Sequence, residues 1–137
     1  MEILNVIAAA VGAFAFGAVW YMTMSKAWIS AAEVAVDDKG RPMRQDSAGS
    51  GNSPMPFVIG IIAMIVVAGM MRHVFAMSGI VSLGSGIVAG AGIGAFFVLP
   101  WLAMNYAFAM RKPALTLIDG VNVVVGCTIM GAILELF

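Results

Sequence analysis

Four long apolar runs alternate with short polar breaks along this chain. They extend from about Ile3 to Met24, from about Pro54 to Met77, from Ser82 to Met110 and from about Leu115 to Leu136. Each reaches the length of about 20 residues that an α-helix needs to cross a bilayer. The pattern predicts an all-α fold, an integral membrane bundle of four transmembrane helices forming a single domain over 1–137. The main polar segment, Asp37 to Ser53, carries the turn signal Asp-Asp-Lys-Gly-Arg-Pro and then a Ser/Gly-rich stretch, so it reads as a loop.

The third run is the most patterned. At 100° per residue, Ser82, Gly86, Gly90, Gly94, Phe97, Trp101, Asn105 and Phe108 fall near one helix face. Its first half is a groove of small residues and its second half an aromatic ridge with one amide. Glycine at every fourth position lets another backbone approach closely, which is how helices associate in lipid. This predicts a central Gly-rich third helix on which the others dock, with Gly86, Gly90 and Gly94 as packing positions and Gly90 nearest its partner. Pro100 predicts a kink.

The polar residues mark the ends. Trp20, Tyr21, Lys26 and Trp28 combine amphipathic aromatics with a cation, the signature of a membrane–water interface. The first helix is expected to continue from Ala27 to Val36 along that surface. Ser53-Pro54 predicts an N-cap followed by proline at the first helical position. Thr116 and Asp119 resemble a capping pair for the fourth helix. Arg72 is expected to snorkel to the opposite interface, near Glu2 and Glu135. Lys26, Lys39, Arg41, Arg44, Arg111 and Lys112 fall in the first and third loops, against Arg72 on the other side. The positive-inside rule then places these loops in the cytoplasm and both termini in the periplasm.

Composition supports the membrane reading. The chain is 62% hydrophobic and 10% charged, with mean hydropathy +1.02, whereas soluble domains carry roughly 25% charged residues. The formal net charge is zero and no basic tract suggests nucleic acid as a partner. A lone Cys127 makes no internal disulfide and no metal cluster. The N-terminus lacks the positive region of a signal peptide and reads as a retained helix.

Candidate chemistry is sparse. Asp119, Asn122 and Gly126 share a face of the fourth helix. Intramembrane carboxylates often mark ion or proton paths, but a cap at the helix start, or a pair with Arg111 or Lys112, accounts for Asp119 more simply. Asn105 and Asn122 then become interhelical hydrogen-bonding residues. His73 is the chain's one histidine and does not make a multi-histidine site, so no cofactor is expected. Gly90-Ala-Gly-Ile-Gly94 lies inside a membrane run, without the strand or Lys-Ser/Thr of a phosphate loop.

Gly17-Ala-Val-Trp20-Tyr21, Lys26-Ala-Trp28, the Gly-rich third run, Asn105-Tyr-Ala-Phe108 and Ile118-Asp119-Gly120 together resemble a bacterial membrane-protein family, domain of unknown function 1761. The resemblance implies a small four-helix protein of the bacterial cytoplasmic membrane and brings no catalytic residues. The expectation is a structural or accessory subunit rather than an enzyme, packing among membrane lipids against other membrane-protein subunits or itself. The alternative is an oligomeric transporter of a small solute or ion.

Overall fold

The computed structural model describes residues 2–43 and 54–136. Arg44 and the expected cap at Ser53 lie outside them. Among the described residues there are four helical spans long and apolar enough to cross a membrane. The first is α1 (Glu2–Ala32) and the second α2 (Met55–Ser78). The third is α3 (Leu83–Ile93) running through a π-helical turn (Gly94–Val98) into α4 (Leu99–Phe108). The fourth is α5 (Pro113–Leu134).

The hub is α5, which corrects the expectation that the third span is central. Its apolar window is 39% buried, against 22% for α1 and 11% each for α2 and the third span. The helix α5 lies between α1 on one side and α3–α4 on the other, while α2 packs mainly on α1. Small residues explain this. Gly120, Gly126, Cys127 and Gly131 are all buried, so neighbours can approach α5 from several directions. A core of Ala9, Ala10 and Ala13 from α1, Ala68, Met71 and Phe75 from α2, and Met130 and Leu134 from α5 fills the other contacts.

The glycines of α3 face α5. A Cβ added to Gly86 would collide with the Gly131 carbonyl oxygen, and one on Gly90 with that of Cys127. One on Gly94 would lie 2.7 Å from the Cα of Val124. Three successive turns therefore lie backbone against backbone, and Gly131 returns the contact onto the Gly86 carbonyl.

The aromatic half of that predicted face does not follow the glycines. In the π turn the Leu99 N–H bonds to the Gly94 carbonyl, five residues back instead of four. The extra residue rotates everything beyond it by roughly 100°. Phe97, Trp101, Asn105 and Phe108 are consequently exposed. Leu99 takes their place on α5 and covers Gly120, where a Cβ would lie 2.6 Å from its Cδ1. Pro100 sits in the first turn of α4. The register shift beside it is the irregularity that its missing N–H announces.

Helix ends differ from expectation in three places. First, α1 stops at Ala32: Glu33 takes a left-handed φ of 55° and the Val34 N–H returns to the Ile29 carbonyl at 3.3 Å. That is a Schellman closure, not a surface helix reaching Val36. Second, α2 has Pro54 itself at the N-cap. Third, α5 begins at Pro113 with Lys112 at the N-cap and no side-chain capping bond. Proline at the first position fixes φ and starts the helix ahead of Thr116, so Thr116 and Asp119 are interior residues and not a cap.

Candidate functional site

Asp119 is the centre of a hydrogen-bonded cage. It lies in the second turn of α5 and is 7% exposed. Tyr21 and Trp28 come from α1 seven residues apart, two turns along one face. The Tyr21 hydroxyl donates to Oδ1 at 2.8 Å and the Trp28 indole N–H to the same oxygen at 3.0 Å. From α4, the Tyr106 hydroxyl donates to Oδ2 at 2.6 Å. The Tyr21 and Trp28 rings meet edge to face, 6.0 Å between centroids. One residue earlier on each helix, the Trp20 N–H donates to the Ile118 carbonyl at 3.0 Å, and its ring stacks on Phe16.

All three donors to the carboxylate are neutral. The pairing expected with Arg111 or Lys112 does not form, because both cations turn to the end of α1. Arg111 donates to the Ala32 carbonyl at 3.3 Å. Lys112 donates to the Ser30 carbonyl at 3.2 Å and pairs with Glu33 at 3.1 Å. Tyr and Trp suit the cage because each brings one polar N–H or O–H on a large apolar body, so the carboxylate is satisfied without burying a second charge. The arrangement ties α1, α4 and α5 together at one end of the bundle.

Asn122, one turn further along α5, is half-buried against α1. Its Oδ1 lies 3.2 Å from where a Cβ of Gly17 would stand, so that glycine makes room for the amide. Asn105 is not brought to the cage; it is exposed on the outer face of α4. Trp20 and Trp28 direct their N–H groups inward onto α5. Tyr106 was not singled out from the sequence. Its signal was its place one residue after Asn105, on the other side of α4.

The far end of α5 is held by a second polar cluster. The Leu134 carbonyl accepts from Asn5 Nδ2 at 3.0 Å and from Arg72 at 3.3 Å. Arg72 also lies 3.7 Å from Glu135, whose side chain is 6% exposed. Arg72 thus turns inward to a helix C-terminus, where the dipole favours a cation, instead of snorkelling outward. His73 is exposed beside it. Among the described residues, no group of three or more His, Cys, Asp or Glu side chains is placed to hold a metal ion.

A bundle of four membrane-length apolar helices, tied together by hydrogen bonds between them, defines a small multi-pass α-helical membrane protein. Over residues 4–135 the chain matches a family described as Protein of unknown function (DUF1761). It belongs to that family, as its motifs suggested. No curated protein and no solved structure matches the chain significantly.

Proposed function

We propose that the chain is a non-enzymatic accessory subunit of the bacterial inner membrane, packing against other membrane proteins or against itself. The observation that supports this reading is the exposed ridge of Phe97, Trp101, Asn105 and Phe108 on the third span. Large rings around an unburied amide suit a neighbouring helix, which would supply both dispersion contacts and a hydrogen-bond partner. The asymmetric Lys/Arg distribution favours loops in the cytoplasm and termini in the periplasm. Native mass measurement in mild detergent tests the reading. Co-purification with a larger complex, weakened by Trp101→Ala and Asn105→Leu, is the expected result. A particle unchanged by both substitutions would refute the docking ridge.

The second reading is an oligomeric transporter of a small solute or ion. It is favoured by Asp119, a buried carboxylate between spans whose donors are all neutral. A discrete homo-oligomer that moves protons or cations into proteoliposomes, and stops doing so with Asp119→Asn, would favour it over the subunit.

A further inference from the structure

On the face of α4 opposite the aromatic ridge, α4 and α5 splay into an open cleft of about 740 Å³. Leu99, Ala103 and Ala107 line it from α4, and Thr116, Gly120 and Val124 from α5. Arg111 stands at its mouth. Along α5 the lining runs from Pro113 to Val125, about 18 Å at helical rise. That is close to the depth of one leaflet, half of a hydrocarbon core about 30 Å thick. The cleft ends midway along α5, so it offers a partner helix only half a span. It is apolar except at Thr116 and at the cationic mouth. Arg111 is exposed. It gives one hydrogen bond to a backbone carbonyl, and among the described residues no carboxylate pairs with it.

We propose that this cleft is a binding site for an anionic phospholipid. One acyl chain lies in the cleft and the headgroup phosphate rests on the Arg111 guanidinium. The chain length available, the apolar walls and the position of the cation at the interface end all fit that chemistry. The site stands apart from the outer ridge and does not depend on the subunit reading.

The test uses the full chain in mild detergent, with phosphatidylglycerol and phosphatidylcholine of matched acyl chains as probes. Retained lipid is counted by native mass spectrometry. Wild type is expected to retain phosphatidylglycerol about fivefold better, the equivalent of about 1 kcal/mol for one interfacial cation. Arg111→Gln, an exposed change, should remove that preference and leave chain binding in place. Ala107→Trp should fill the cleft and lower retention of both lipids, with folding checked by circular dichroism. Equal retention of the two lipids by wild type would overturn the proposal, as would a preference that survives Arg111→Gln. So would disulfide cross-linking between copies through Ala107→Cys in a Cys127→Ala background, because the cleft would then be filled by a second chain.

Discussion

Asp119 owes its place to three aromatic side chains, and the consequences can be measured one atom at a time. Tyr106→Phe removes a 2.6 Å hydrogen bond to the carboxylate. Bonds to charged groups are worth about 1.5–3 kcal/mol, so a clear fall in melting temperature is expected in detergent. Asp119→Asn leaves one oxygen for Tyr21 and Trp28 but replaces the Tyr106–carboxylate bond by an NH₂ donating to the Tyr106 hydroxyl, and should cost about 1 kcal/mol. The double variant should lose less than the sum, because both changes break the same bond. If Asp119→Asn melts with wild type, the cage does not hold the bundle together. A different carboxylate governs the turn after α1. Asp37 accepts the Arg41 N–H at 2.8 Å and the Lys39 N–H at 2.9 Å, and pairs with the Arg41 side chain at 2.7 Å. The Arg41 backbone bond, ahead of the side-chain pairing, holds its carboxyl below the ordinary 3.8. A lowered pKa stabilises the turn above the unfolded value, and the support is lost as pH falls through the lower folded value. The protection factors of the Lys39 and Arg41 amides, taken against the intrinsic exchange rate at each pH, should therefore hold at pH 5 and fall only in strong acid. Equal protection at all pH values would show that the carboxylate charge does not hold the turn.

Among the elements, the pair α3–α5 makes the sharpest demand. Its closeness was readable in the glycine spacing, because only a backbone without side chains allows such an approach. Gly90→Leu is expected to cost a few kcal/mol at the overpacking scale, since its Cβ already meets the Cys127 carbonyl. The matching control is Val88→Leu. Val88 is 73% exposed, whereas the neighbouring Ala89 packs against the buried core. Comparable melting of the two variants would remove α3–α5 from the helices that hold the fold. The π turn was not readable in the same way. Pro100 signals an irregularity, but periodicity carried through the whole third run assumes one unbroken register. An added residue in the turn sends Phe97 and Asn105 outward and brings Leu99 and Tyr106 in. The cage was hidden for the same reason, because its α4 member is out of phase with the glycines.

At the scale of the molecule, hydropathy gave the four spans and could not rank them. Their mean hydropathies are 2.0, 2.1, 2.0 and 2.0, yet the buried shares differ more than threefold between α2 and α5. Lipid and protein interiors are equally apolar, so the scale does not separate a helix facing one from a helix facing the other. Charge speaks more clearly. Lys112 and Arg111 reach back to the end of α1, so the first and third loops share one end of the bundle. Arg72, Glu135 and Asn5 gather at the other. A reporter active only in the periplasm, fused after Phe137, is expected to work, and a cytoplasmic reporter there to fail. The reverse result would overturn the assigned orientation.

Because α5 is the hub and follows the three spans it joins, the order of synthesis matters. A ribosome delivers the chain from the N-terminus, residue by residue. Until Pro113–Leu134 is inserted, α1 has α2 to lie against, while the glycine face of α3 and the donors of Tyr21, Trp28 and Tyr106 have nothing to meet. Assembly of these four spans thus waits for α5 to dock between two neighbours made before it. A chain ending at Lys112 should insert but be short-lived in cells. Co-expression of residues 113–137 as a separate helix should restore its half-life. Pulse–chase labelling would read this directly, and a truncated chain as long-lived as wild type would show that the first three spans close without their keystone.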